Sequence, residues 1–468
     1  MKHWPAQTIA PAVLAVLGVL SLTTWWVYQP GRQMTERKPG ADRVTEGTMP
    51  GSVSGSNRWE GKLIISNGLP AQLSGIWPQF RGPNRDNINM ESIPLARTWG
   101  ESGPKVLWQI PVGEGFAGPI IWKGRVYLTD YDHTNQSDAL RCLSLDDGKE
   151  IWRYTYPVKV KRNHGMSRTV PALTDKHLVS FGPKCHVICV KPESGELVWQ
   201  MDLVRQFNAE VPPWYAGQCP LIDGDHAILG TGGDALLIAV DCATGQVVWK
   251  SENPLNWQMT HASITPMEFK GKRMYVYCAS GGVAAVSASD GSILWHTPDW
   301  KISIATVASP LYVGEGRVFL SGGYNAGSMM LQMKEDGEKW TVETLFRLKP
   351  AVFGATQHTP VFHQGHIFGI RPDGQFVGLD LAGKPLWESG AENRYGNGPF
   401  LFAGTLVYLV NDNGLLTLAE ATPAGFKKLA QFKALQGPDA WGPLALADGR
   451  LLIRDLIQMV CIDVTGRD

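Results

Sequence analysis

The stretch "PKVLWQIPVG", Pro104–Gly113, is the end of a repeat whose beginning is missing. Four later stretches share its form: "SGELVWQMDL" (194–203), "TGQVVWKSEN" (244–253), "DGSILWHTPD" (290–299) and "AGKPLWESGA" (382–391). Each of these follows a full block of alternating sequence, and nothing of that kind precedes Pro104. At the other end the chain runs through "MVCIDVTGRD" (459–468), where the next Gly-x-x-x-Trp would follow.

Between these two points one pattern recurs. A short segment ends in a small residue and Pro. An apolar strand follows, then a turn, then a second strand such as "RVYLTD" (125–130) or "RVFLSG" (317–322). A third strand such as "LLIAVD" (236–241) leads into the Gly-x-x-x-Trp ending. Alternation broken by turn signals at short intervals indicates antiparallel strands. The Pro markers are Pro119, Pro171, Pro220, Pro266, Pro310, Pro360, Pro399 and Pro443. The aromatic markers are Trp108, Trp152, Trp199, Trp249, Trp295 and Trp387, with Phe346 and Phe432 at the two remaining positions. Trp340 lies near one of these, but its register to Gly337 is off by one. Successive aromatic markers are 44, 47, 50, 46, 51, 41 and 45 residues apart, the period of a four-stranded propeller blade.

Eight Pro-led units hold only seven Trp or Phe endings of their own. "KVLWQI" matches "ELVWQM" position for position, so residues 104–113 supply the outer strand of the eighth blade. That joins the two ends of the chain by main-chain hydrogen bonds and removes an unpaired sheet edge. The expected fold is an all-β, eight-bladed propeller over residues 104–468, closed by its N-terminal strand. Each marker aromatic is expected to dock between neighbouring blades, and the Thr-Gly and Asp-Gly steps are hairpin turns.

Composition agrees with many short strands and tight turns: 52 Gly and 18 Trp in 468 residues. Lys+Arg and Asp+Glu are each 43, so no global field favours nucleic acid. The seven Cys include no C-x-x-C, no C-x-x-C-H and no adjacent Cys-Cys. Cys185 and Cys189 in "KCHVICV" would lie ~13 Å apart on a strand, too far for a disulfide. The cysteines read as small buried apolar residues.

Ahead of the repeats, residues Ile9–Tyr28 carry no charge and are long enough to cross a bilayer, with Trp25, Trp26 and Tyr28 as an interfacial belt. No A-x-A-like cleavage site follows. Residues 1–30 therefore read as an uncleaved signal anchor in preference to a cleaved signal peptide. The anchor places a single-pass protein in the cell membrane, and either reading puts the bulk of the chain in the periplasm or outside the cell. Residues 31–75 read as a flexible polar linker.

Repeats such as "VDCATGQVVW" and "SASDGSILW" resemble the tryptophan-docking motif of the PQQ-like propellers, a group holding both quinoprotein alcohol dehydrogenases and the non-enzymatic assembly factor BamB. "WPQFRGPNRDN" (77–87) is similar to the leader that precedes the propeller in many exported bacterial members. Residues 76–103 are expected to dock on the ring, with Trp77, Pro78 and Phe80 as anchors and Arg81, Arg85 and Asp86 as polar clips. The resemblance covers Trp77–Asp468 and points to fold more strongly than to function.

The quinoprotein dehydrogenases of that group carry an adjacent Cys-Cys and a Glu/Asn pair on Ca²⁺. This sequence has no Cys-Cys, and none of Glu114, Glu210 or Glu392 matches a calcium ligand. There is no G-x-S-x-G or H-E-x-x-H, and His133, His164, His186, His261 and His358 lack metal-ligand spacing. No metal or catalytic residue is assigned.

Candidate binding residues fall in the loops leading into each Pro, around the channel mouth: Arg168, His261, His358, Arg394, Asn397 and Trp441, with His164, Trp214, Tyr215, Trp257, Gln357, Tyr395 and Asp439 nearby. The leading expectation is a non-catalytic scaffold for an envelope protein partner. A PQQ-like or other anionic cofactor would require Arg168, Arg394 and His358 to converge on one cavity. A carbohydrate or peptide receptor would expose Trp214, Tyr215, Trp257 and Trp441 as flat aromatic faces.

Overall fold

The computed structural model describes residues 17–21, 23–24, 59–337 and 339–466. The chain divides into two units, Met1–Ala41 and Asp42–Asp468. In the first, residues 17–21 and 23–24 are helical. Among the described residues no helix is long and apolar enough to cross a membrane. Most of the anchor expected over 1–30 lies outside those residues, as does the linker from 31 to 58.

The second unit is built of eight sheets, antiparallel except that the two-residue strand Ile88–Asn89 runs parallel to Phe400–Ala403. Blade 1 holds Ile120–Trp122, Arg125–Asp132, Ser137–Ser144 and Glu150–Pro157. Blades 2 to 7 follow in chain order over 172–202, 221–250, 265–297, 311–348, 361–388 and 400–433. Blade 8 takes Ala445–Ala447, Arg450–Arg454 and Gln458–Asp463 from the C-terminal end, and Val106–Pro111 as its outermost strand. Trp108 faces Cys461 in that pairing, so the ring closes by the exchange that the unequal repeat count requires.

One device recurs at six of the eight interfaces. A marker Trp on the outer strand stands opposite a small residue, and the register shifts by one immediately after it. The pairs are Trp152–Cys142, Trp199–Cys189, Trp249–Ala239, Trp295–Ala285, Trp387–Gly378 and Trp108–Cys461. The bulge turns the indole towards the next blade. There its N–H finds a carbonyl: Trp108 on Leu145 (2.8 Å), Trp152 on Pro192 (3.2 Å), Trp199 on Cys242 (2.9 Å), Trp249 on Ala288 (3.2 Å) and Trp387 on Thr422 (2.8 Å). Trp295 instead meets the Met333 sulfur at 3.2 Å. A turn glycine of the next blade lies against the ring, as Gly148 does on Trp108 and Gly245 on Trp199. Three of the seven cysteines are thus the small partners of docking tryptophans, and all seven are buried. Cys185 sits just before its strand, at φ 65°.

Phe346 occupies the marker position, opposite Met330. Phe432 does not. The bulge of blade 7 pairs Leu418 with Ala430, so large and small residues have changed strands and Phe432 lies two positions further along. It still packs towards blade 8, where the space that a Cβ on Gly103 would need is filled by its ring.

The apolar core is divided among the gaps between blades rather than collected at the axis. Leu418, Val460, Trp108 and Leu143, from blades 7, 8 and 1, share one cluster. Blade 1 carries an additional outer strand, Lys62–Ile65, paired with Arg153 and its neighbours. The expected linker therefore stops short of Trp59, whose ring packs on Tyr156 and His186 at centroid distances of 5.3 and 4.6 Å. The polar composition of the whole segment hid four residues with strand chemistry.

The leader crosses the ring. Ile76–Trp77 pairs with the inner strand of blade 1, and Pro78 accepts from Leu173 N of blade 2 (3.0 Å). Arg85 donates to Ile264 O (3.1 Å), Arg81 to Pro360 O (2.8 Å), Asn87 to Phe400 O and Asn89 to Leu446 O (2.8 Å). Blades 1, 2, 4, 6, 7 and 8 are thereby tied to one short segment.

Candidate functional site

The inner strands leave an axial cavity of about 320 Å³. Its wall comes from the loops before the Pro markers: Phe116, His164 and Arg168, Trp214, His261 and Ser263, Gln357 and Thr359, and Trp441. Phe80 of the leader lines it from the crossing segment, so the cavity is a cup closed by the chain's own N-terminal part.

Aromatic rings dominate the wall. Phe116 and Trp441 stack, with centroids 5.2 Å apart and planes inclined by 25°. The Trp441 indole donates to Asp412 Oδ1 at 2.7 Å, which fixes its plane. Trp214 stands 6.3 Å from the His261 ring. Tyr324, 39% exposed, reaches the cup from a hairpin turn of blade 5.

Among the described residues, Arg168 is the one arginine or lysine in the lining. It donates to the carbonyls of Trp214, Asn163 (2.9 Å) and Gly165 (3.2 Å), and its guanidinium carbon lies 5.4 Å from the Phe116 centroid. These bonds use Nε and Nη2. Burial without a carboxylate partner brings its pKa down to about 10, so it stays charged. His261 is pushed down to about 3 by burial and by Arg168, which keeps the imidazole neutral.

The other expected residues lie elsewhere. His358 is outside the lining and accepts from Ile370 N at 3.0 Å. Arg394 is exposed and donates to Ala391 O (3.1 Å) and Asp373 O (2.9 Å). Asn397 is bound through its own N–H to Asp412 (2.8 Å). The structure therefore does not bring Arg168, Arg394 and His358 to one cavity. Of the four aromatics proposed as an exposed platform, Tyr215 and Trp257 are buried. Tyr215 donates to Lys161 O (2.7 Å), and Trp257 packs edge-on against His296. Tyr395 is buried as well. Phe116 and Tyr324 were missed. Phe116 lies in a pre-Pro loop, "GEGFAGP" (113–119), where position alone could have found it. Tyr324 lies in a turn, outside every loop with that signature.

PQQ is a three-ring tricarboxylate, held with Ca²⁺ in quinoproteins. Among the described residues, the lining offers one buried cation and no Asp or Glu to coordinate a hard divalent ion. The residues present do not fit that pair. Among the described residues no group of three His, Cys, Asp or Glu could hold a metal ion.

Comparison with known proteins places this architecture. BamB from Moraxella catarrhalis superposes with a TM-score of 0.53 at 13% identity, covering 77% of this chain and 99% of that one. The computationally designed Ika8 protein gives 0.51 at 11% identity, covering 76% and 99%. The quinoprotein alcohol dehydrogenase PedH of Pseudomonas putida is 23% identical over 171 residues, 34% of this chain; the match spans only 27% of that enzyme's length. A family model described as outer membrane protein assembly factor BamB matches residues 135–382, just over half of the sequence. The chain belongs to that BamB-like family of PQQ-repeat propellers.

Proposed function

We propose that this protein is a non-catalytic interaction scaffold of the cell envelope. Its N-terminal apolar segment would tether it to the inner membrane, and its propeller would stand on the exported side. The observation that carries the reading is the asymmetry of the ring. One end of the channel is occupied by the leader, and the other opens among Phe116, Trp214, Tyr324 and Trp441. Half-exposed Trp and Tyr anchors are the side chains on which protein interfaces concentrate their binding energy. Lys159, Lys161 and His164 are exposed in the loop beside them, which favours a partner presenting acidic residues at the rim.

A photo-crosslinking residue placed at Tyr324 in cells should trap one envelope protein, and Trp214→Glu should remove that adduct. The same residue at Lys427, on the outer strand of blade 7, should not trap it. Identical adducts from both positions, or none from Tyr324, would sink the scaffold reading. Resistance of the full chain to alkaline extraction from membranes tests the tether separately.

A further inference from the structure

We propose that the axial cup is a metal-free binding site for a small planar aromatic carboxylate, with Arg168 taking the charge and the Phe116–Trp441 pair and Trp214 taking the ring. The proposal shares Phe116, Trp214 and Trp441 with the scaffold reading but concerns the interior of the cup and Arg168, and its test reads small-molecule binding rather than partner capture.

Charge comes first. The hydrogen-bond partners of Arg168 are three carbonyl oxygens, which satisfy its donors without neutralising it. Among the described residues nothing accepts from its Nη1, which leaves one guanidinium nitrogen for a ligand. Two more buried guanidiniums lie in the crossing segment. Arg81 is bonded to Asp86 O and Pro360 O, and Arg85 to Gln79 Oε1 and Ile264 O. The carboxylate opposing Arg81 is Asp86 and the one opposing Arg85 is Asp223. Arg168, held by neutral acceptors in an aromatic-walled cavity, focuses a positive potential into it, and Arg81 and Arg85 add to that potential from outside the lining. A charge-assisted bond to an anion is the interaction such a site lacks.

Shape selects the kind of anion. The Phe116–Trp441 stack, Trp214 and the His261 ring give flat walls, and planar ligands stack on such walls at low entropic cost. A cavity of roughly 150 Å³ takes one benzene molecule. The cup, at about 320 Å³, accordingly suits one ring with a carboxylate arm or two fused rings. The wall adds Gln357, Ser263, Thr359 and His164 as polar groups that can orient a substituent. One free guanidinium nitrogen and a neutral His261 match a single negative charge, not the three of PQQ.

The test is a calorimetric titration of the full chain with 2-naphthoate, its uncharged amide, and PQQ with Ca²⁺. Saturable one-site binding of the naphthoate is expected, with the amide and PQQ each at least about tenfold weaker. Arg168→Gln should weaken naphthoate binding by a similar factor. Val307→Trp, which fills the cup three blades round the ring from Arg168, should abolish it while the protein still melts cooperatively. Equal binding of acid and amide, an unchanged affinity in either variant, or no saturation at millimolar naphthoate would overturn the proposal. If Arg168→Gln fails to fold, the acid–amide comparison and Val307→Trp still decide it.

Discussion

The indole N–H of Trp108 donates to the carbonyl of Leu145 at 2.8 Å, so a side chain of the last blade is hydrogen-bonded to the first. The same indole is buried in the cluster that joins blades 7, 8 and 1. It is the one docking tryptophan whose strand comes from the opposite end of the chain to the rest of its blade. Trp108→Ala removes the bond and leaves a cavity at the seam, which costs about 3–5 kcal/mol. Val106→Ala, on the same strand but partly exposed, should cost less than about 1 kcal/mol. Denaturant unfolding of the two variants checks this. Equal losses would mean that the closing strand holds by its backbone alone.

At the seam between blades 7 and 8 the contact is Phe432 on Gly103. Gly103 has φ 76°, and a Cβ there would lie 2.1 Å from a Phe432 ring carbon. Gly103→Ala therefore meets both backbone strain and overlap, and should cost about 2–4 kcal/mol. Phe432→Ala removes the overlap but not the strain. In a double-mutant cycle the two losses should fall short of additive by about 1 kcal/mol or more. Strict additivity would show that the ring and the glycine do not share the site.

The ring count and its closure were readable because they are matters of periodicity, and six Trp at near-constant spacing outweigh any local ambiguity. Phe432 shows where that stops. Its spacing fits, but the exchange of large and small residues between Leu418 and Ala430 moves the bulge, and a single strand does not reveal what stands opposite it. The cup was readable only as a zone. Position before a Pro marker found Arg168, His261 and Trp441, yet it could not tell them from His358, whose imidazole turns away to accept from Ile370 N. Tyr324 depends on the fold of a hairpin turn, and Phe80 on where the leader crosses.

Asp138 gives a pH dependence of known sign. It is buried, accepts from Tyr156 Oη at 2.5 Å, and lies near Asp130. Burial chiefly, then the Asp130 charge, pushes its pKa up to about 7. Between about pH 4 and pH 7 the folded protein thus holds a proton that the unfolded chain has lost, and this group's contribution to stability falls as pH rises. The full effect is on the order of 4 kcal/mol. Asp138→Asn keeps an acceptor for Tyr156 and cannot ionise. It should gain on the wild type from pH 5 to pH 8 in urea unfolding. A constant difference across that range would show that Asp138 titrates normally.

His358 carries the opposite sign. Burial, with Arg81 nearby, brings its pKa down to about 3, while its unfolded value is near 6.5. From about pH 6.5 down to pH 3 the unfolded chain binds a proton that the folded protein refuses, so this contribution is complete above 6.5 and is lost on acidification. At pH 7 the neutral ring is the acceptor for Ile370 N at 3.0 Å. His358→Leu leaves that buried N–H without a partner, and should cost about 1–3 kcal/mol at pH 7. The variant has no imidazole to protonate, so its deficit should shrink at pH 5 and vanish or reverse by pH 4. Unfolding curves of both proteins at pH 7, 5 and 4 provide the check. A deficit that stays fixed would mean that His358 is protonated in the fold, and the hydrogen bond to Ile370 would have to be reassigned.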